Sequence, residues 1–361
     1  MKFYTKFIIF SFLIGTCFYL FVLSVDPYDK YGFNFWNLKT KAVNSHRDNK
    51  FHQINNTKKH YNLFIIGSSR VQAFDPDILE KEIHLKTFNY GVNNSKPEDL
   101  LAITKHIIAK QKPKIIFLQT DFYNLNKHIP MDGRLNSSPL KAYLEGTVTK
   151  NINNKKFYYF EKTYITLSSL KDSIKLVYKN KLGHVEITHK KNGMKLGYKP
   201  VRDPELAETY FKNEYKTYEF DSNRINYFKK LKHICDSNNI ELIVSISPMN
   251  KDHFLKLVSD KYLLEKLLAF KRIVVNIFGT VHDFNNISTF NYNYPYWSNS
   301  VHPSIELPKL MSSVIFHKYG YSYKNVPKDF GVLLTKQNIE QQLESLKQQI
   351  KNYDLNKTLH V

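Results

Sequence analysis

Charge-free apolar runs and their spacing divide the chain into an N-terminal span and an alternating body. Phe7 to Val25 (FIIFSFLIGTCFYLFVLSV) is nineteen residues without a charge, preceded by Lys2 and Lys6. At a rise of about 1.5 Å per residue it covers roughly 28 Å as a helix, close to the hydrocarbon thickness of a bilayer. A cleaved signal peptide is the competing reading. Its apolar region is shorter, about 7–15 residues, and ends on small residues, a poor fit to Ser24-Val25-Asp26. A buried core helix is the third, against which stand bulky residues on every face. An uncleaved signal anchor is therefore expected, with the two lysines holding the N-terminus in the cytoplasm and the rest outside. This makes the chain a single-pass protein of the cell (inner) membrane, with a periplasmic or otherwise extracytoplasmic body.

Beyond it, short apolar runs end in turn residues, as buried parallel strands do. Asn62–Ile66 ends at Gly67, Leu85–Tyr90 at Gly91, Lys114–Leu118 at Gln119-Thr120-Asp121, and Glu241–Ile246 at Ser247-Pro248. Arg272–Ile277 is expected as a fifth strand. Between them lie helical stripes: Leu100, Ile103, Ile107 and Ile108, then Ile225, Phe228, Leu231 and Ile234. The alternation predicts an α/β domain with a mostly parallel five-stranded sheet, whose site lies at the carboxyl ends of the strands.

The expected organisation is a cytoplasmic tip and anchor over 1–25, a membrane-proximal linker over 26–60 and an α/β domain over 61–330. Residues 126–215, rich in Lys, Asn and Tyr and weakly periodic, read as an inserted subdomain or lid. Residues 331–361 read as a C-terminal amphipathic helix and tail, with Ile339, Leu343, Leu346, Ile350 and Tyr353 in 4-3-4-3 spacing. Two heptads are few for a coiled coil, so packing back on the domain is expected.

Composition changes this picture little. The 361 residues carry 53 Lys+Arg against 32 Asp+Glu, a net +21. Such a charge suits nucleic acid, an anionic membrane surface, or no partner at all. An extracytoplasmic body makes nucleic acid an unsuitable partner. Cys17 and Cys235 build neither a disulfide framework nor a cysteine zinc site. There is no G-x-G-x-x-G, no P-loop and no H-E-x-x-H, and His184 and His189 are five apart, off a common helix face.

Candidate chemistry sits just after the strands. Gly67-Ser68-Ser69-Arg70 exposes a hydroxyl in a tight turn, near backbone N–H groups that favour a developing oxyanion at a helix N-terminus. The alternative is that Ser68 or Ser69 only caps the next helix. The second candidate is His302, in Tyr296-Trp-Ser-Asn-Ser-Val-His-Pro303.

Taken in order, these blocks resemble the SGNH (GDSL-like) hydrolase superfamily. The nearest likeness is to its membrane-anchored branch, which includes the D-alanyl-transfer protein of teichoic acid modification and the alginate O-acetylation proteins. Gly67-Ser68-Ser69-Arg70 matches the nucleophile block, with Ser69 as nucleophile. Asn89-Tyr90-Gly91-Val92-Asn93 matches the oxyanion block, Thr120-Asp121-Phe122 the third block, and Asn299-Ser300-Val301-His302 the histidine block. Asp26-Pro27-Tyr28 and Arg47 are similar to the anchored members. The likeness runs from about residue 20 to 335 and leaves 126–215 uncovered.

The resemblance implies a three-layer flavodoxin-like fold. It also implies a serine esterase or O-acyltransferase acting on a cell-surface polysaccharide or similar envelope polymer, with no cofactor and no metal. A membrane-bound acyltransferase is an implied partner, and membrane lipid is met through the N-terminal helix. Two departures bear on mechanism. Asn299 stands where the family has the carboxylate orienting the histidine; either Asp283 supplies the carboxylate for that task or a Ser–His dyad works alone. Asp121 replaces a neutral donor, so a charge-assisted pair with Arg70 is expected of it, leaving Ser69 N–H and Gly91 N–H as oxyanion donors. The departures also suit a different class of protein: a catalytically inactive SGNH-like binding or partner protein in polysaccharide assembly. A basic membrane-surface module is the third class.

Overall fold

The computed structural model describes residues 2–42, 45–148, 164–183, 189–197, 204–288, 296–299, 301–323 and 326–352. His184 and Tyr353 lie outside them. Lys2–Val25 is one helix, long and apolar enough to span a membrane. Beyond it come six strands: β1 (Leu63–Ile66), β2 (Thr87–Asn89), β3 (Ile115–Thr120), β4 (Glu241–Ile246), β5 (Thr280–Asp283) and β6 (Val332–Thr335). They form one sheet in the order β2-β1-β3-β4-β5-β6, parallel except for β6, which runs antiparallel to β5.

β1 and the first four residues of β3 are continuously apolar because both sheet faces are buried there. Leu63 and Ile65 of β1, with Ile115 and Phe117 of β3, pack with Leu79 of the helix Pro76–Ile83 and Leu310 of the helix Glu306–Ile315. The alternate residues Phe64, Ile66, Ile116 and Leu118 join a second cluster with the helices Pro97–Lys110, Ser222–Ser237 and Lys261–Phe278. Leu100, Ile103 and Ile107 of the expected stripe are fully buried there.

Arg272–Ile277 is not a strand. It is the last part of the helix Lys261–Phe278, and the sheet's fifth strand begins after Gly279. Its apolar run is too short to separate strand from buried helix by periodicity. The longer register decides: Leu263, Leu267, Leu268, Val274, Val275 and Phe278 form a buried helical stripe. Asp260 caps the start by accepting from Tyr262 N–H and Leu263 N–H, and Gly279, at φ +84°, ends it.

The expected linker is also folded. Asp26 accepts backbone N–H groups from Lys30, Tyr31 and Phe33, turning the chain as it leaves the first helix. His46–Asn56 is helical, and its Arg47 forms a bidentate pair with Asp99 at 2.7 and 2.9 Å. From the insert, the helix Leu167–Lys181 packs on the end of the first helix, with Tyr28 Oη donating to Asp172 at 2.8 Å. The C-terminal helix Ile339–Asn352 buries Ile339, Leu343 and Leu346 in the core.

Candidate active site

β1 delivers its carboxyl end straight into the turn Gly67–Arg70. Ser68 Oγ accepts Arg70 N–H at 3.2 Å and so takes the capping task. Ser69–Val71 is a three-residue 3-10 turn rather than the expected helix, which begins only at Pro76. The turn therefore brings no helix dipole to bear on Ser69.

Ser69 Oγ lies 2.8 Å from His302 Nε2, across 233 residues of sequence. The histidine is held by a compact loop. Trp297 is bridged to Pro303 and buried, and Ser298 N–H donates to His302 O at 2.9 Å. Asn299 Oδ1 accepts Val301 N–H at 3.0 Å and His302 N–H at 2.8 Å, and lies 3.1 Å from His302 Nδ1. Two backbone donors fix that amide with its oxygen inward. His302 Nδ1 must then carry the proton, which leaves the Nε2 lone pair facing Ser69. Burial, with Arg70 and Lys195 beside it, holds the His302 imidazole down to about 4.

Arg70 organises the surroundings. It is buried, and its Nη1 donates to Asp121 Oδ1 at 2.8 Å at the end of β3. Its Nη2 reaches the Glu214 carboxylate at 3.2 Å, and Nε reaches Val301 O at 3.3 Å. One guanidinium thus joins two strand ends, the insert helix Pro204–Tyr215 and the histidine loop. The carboxylates beside it raise its pKa well above the ordinary arginine value. Glu214 carries no signal in the sequence because its segment is only weakly periodic.

The oxyanion block stands otherwise. Gly91 N–H donates to Asn89 Oδ1 at 2.9 Å, so the expected donor is engaged within its own turn. Gly91 O accepts Lys50 Nζ at 2.7 Å and Gln72 Nε2 at 3.1 Å. Asn93 contributes its carbonyl to Arg47 Nη1 at 3.1 Å. What requires glycine at 91 is space: a Cβ there would meet Val71 Cγ2 at 2.5 Å and Ser68 O at 3.2 Å. A Gly91→Ala chain should therefore lose about 1–3 kcal/mol of stability in urea unfolding, as overpacked sites do. An unchanged midpoint would mean that the turn yields freely.

Asp283 does not serve His302. It is buried in β5 with Oδ2 2.5 Å from Lys271 Nζ and Oδ1 accepting Asn285 N–H at 2.9 Å, while the imidazole Nδ1 is met by Asn299. Among the described residues no group of three His, Cys, Asp or Glu side chains is placed to hold a metal ion. No family model matches the chain, and no curated protein matches it.

Proposed function

We propose that this chain is a membrane-anchored, extracytoplasmic serine esterase or O-acyltransferase of the SGNH-like kind, acting on an envelope polymer. The observation that carries the reading is the 2.8 Å contact between Ser69 Oγ and His302 Nε2, with the imidazole tautomer set from behind by Asn299. The two apolar clusters on opposite sheet faces support a three-layer, flavodoxin-like reading of the domain. The apolar first helix, with Lys2 and Lys6 ahead of its core, supports the anchored topology.

In this mechanism His302 Nε2 takes the Ser69 proton as Oγ attacks an ester carbonyl. The tetrahedral intermediate collapses, and His302 returns the proton to the departing alkoxide, leaving an acyl-serine. Water or a sugar hydroxyl then attacks, giving its proton to His302, which passes it to Ser69 Oγ as the acyl–serine bond breaks and the acyl group leaves as acid or new ester. Backbone donors to the oxyanion are worth about 3 kcal/mol each. Gly91 N–H serves only if the substrate oxygen displaces Asn89 Oδ1.

The decisive experiment is fluorophosphonate labelling of the full chain in detergent, with the adduct mapped. An adduct at Ser69 that is lost in His302→Ala supports the enzyme. No adduct on a chain with native circular dichroism would remove it. The second reading, an inactive partner or binding protein, is favoured by the missing carboxylate at Asn299 and by the engaged Gly91 N–H, and it is what remains in that case.

The pH profile provides an independent check. With His302 held down to about 4, its lone pair is available throughout the neutral range. kcat/KM for p-nitrophenyl acetate should rise with pH through about 4 and stay level from about 5.5 to 8. A limb near 6.5, the ordinary imidazole value, would contradict a buried base.

A further inference from the structure

A cavity of about 670 Å³ lies apart from the Ser69–His302 pair, with neither residue in its lining. Its walls are residues 29–41 just past the first helix, the helix His46–Asn56 and the insert segment 189–193. Six lysines line it (Lys39, Lys41, Lys50, Lys59, Lys190 and Lys191) against two carboxylates, Asp29 and Asp77. Lys59 is paired with Glu80 at 2.9 Å, and Lys190 with Asp75 at 3.0 Å and Asp77 at 2.8 Å. Lys41 Nζ donates to the carbonyls of Val25, Asp26 and Phe33.

The remaining three have no carboxylate at ion-pair distance among the described residues. Lys39 and Lys191 are exposed. Lys50 is 3% exposed, and its Nζ donates to two neutral acceptors, Asn89 O at 2.8 Å and Gly91 O at 2.7 Å. Beside it the His46 and His189 rings stand 4.9 Å apart. Burial pushes Lys50 well below the ordinary lysine value, with Lys195 adding to the effect. Buried cationic groups without a counter-charge are costly, and a bound anion offsets that cost.

The cavity's height is set by the first helix. Asp29 is the fourth residue after Val25, at most about 14 Å of chain, and its N–H turns back to Asp26 O at 3.1 Å. Trp36, in the same wall segment, donates through Nε1 to Ser24 Oγ at 2.9 Å and packs edge-on against Phe21 at 5.8 Å. Phe35 and Trp36 are exposed at 73% and 43%. Aromatic side chains at a helix end mark the interfacial layer of a bilayer, where lipid headgroups lie.

We propose that this cavity binds the phosphate of an anionic lipid headgroup, using Lys39, Lys50 and Lys191. The proposal rests on the anchored topology given above and not on catalysis by Ser69. Lysine suits a phosphate as a compact point charge with three donors.

The test titrates full chain in neutral detergent with dioctanoyl phosphatidic acid, dioctanoyl phosphatidylcholine and inorganic phosphate, read by calorimetry. Saturable phosphatidate binding is expected, at least tenfold tighter than either of the other two. It should weaken at least tenfold in a Lys39→Ala/Lys191→Ala chain, whose exposed substitutions leave the core untouched. Inorganic phosphate binding as tightly as phosphatidate would overturn the lipid source. No saturable phosphatidate binding, or binding unchanged in the double variant, would overturn the site itself. Ser69→Ala should bind phosphatidate like the parent, so loss of the enzyme reading alone leaves this site standing. Failure of the chain to float with phosphatidylcholine vesicles would remove the anchor, and the lipid source with it.

Discussion

An Asn299→Asp chain should hydrolyse p-nitrophenyl acetate about ten to a hundred times faster than the parent. In a serine triad, asparagine in place of the orienting aspartate costs about 10⁴ in turnover, because the imidazole then adopts the wrong tautomer. That part of the loss does not apply here. Asn299 Oδ1 is pinned by Val301 N–H and His302 N–H, so Nδ1 already carries the proton. Only the missing charge remains to be restored. A carboxylate of the same shape accepts the same three donors, stabilises the imidazolium that forms in the transition state, and draws His302 upward from about 4. Ten- to a hundredfold corresponds to about 1.4–2.7 kcal/mol of transition-state stabilisation. The acid limb of the profile should move up with the rate. A slower or unchanged rate, with Ser69 still labelled, would mean that His302 is not the base.

Acidification should destabilise the whole domain. His106 is fully buried, stacked 4.3 Å from Phe51, with Nε2 accepting from Asn55 Nδ2 and Nδ1 at 3.0 Å from Tyr90 Oη. Protonation would turn Nε2 toward a donor. His253, also buried, lies among the rings of Phe211 and Tyr215, and neither of its nitrogens has a hydrogen-bond partner among the described residues. Burial holds both down to about 3, with Lys110 and His52 adding to it at His106, and Arg70 and Lys256 at His253.

The direction is set by proton binding. Between about 6.5 and 3 the unfolded chain protonates these imidazoles and the folded chain does not. Stability is therefore whole above about 6.5 and falls as pH drops. At about 1.4 kcal/mol per pH unit and per group, pH 5 costs about 2 kcal/mol for each and about 4 kcal/mol together. Against a typical total of about 5–15 kcal/mol that is a large share. Urea midpoints at pH 7.5 and 5, read by tryptophan fluorescence in detergent, should differ by at least that much, the other lowered imidazoles adding to it, and His253→Leu should remove about 2 kcal/mol of the difference. Equal midpoints would mean that the imidazoles are reached by water.

The central strands were legible in the chain because both faces of the sheet's centre are buried, so β1, Ile115–Leu118 of β3 and Leu242–Val244 of β4 read as apolar runs. The Ser69 turn was legible because it comes directly after such a run. β5 was misplaced onto Arg272–Ile277 because a β-branched segment inside a buried helix has the composition of a strand. β6, only four residues long, gives no signal apart from Gly331 before it. The site's less visible parts are those formed by contacts distant in sequence. Glu214 reaches Arg70 from 144 residues away, in a stretch whose pattern carries no period. The engagement of Gly91 N–H depends on an Asn89 rotamer, which spacing does not encode.

The folded stretch after the first helix has a mechanical consequence. Had residues 26–60 been a loose tether, their ends would wander by roughly 30 Å, and the serine would sweep a hemisphere above the bilayer. Instead Asp26, Arg47 and the Tyr28–Asp172 contact clamp the domain to the end of the first helix. The same insert that grips that helix also supplies Glu214 to Arg70. On the reading proposed above, Ser69 would therefore ride at a fixed altitude, its search confined to a sheet parallel to the membrane. A polymer substrate of that proposed enzyme would have to be presented at that level, and reach would become a property of the polymer rather than of the protein.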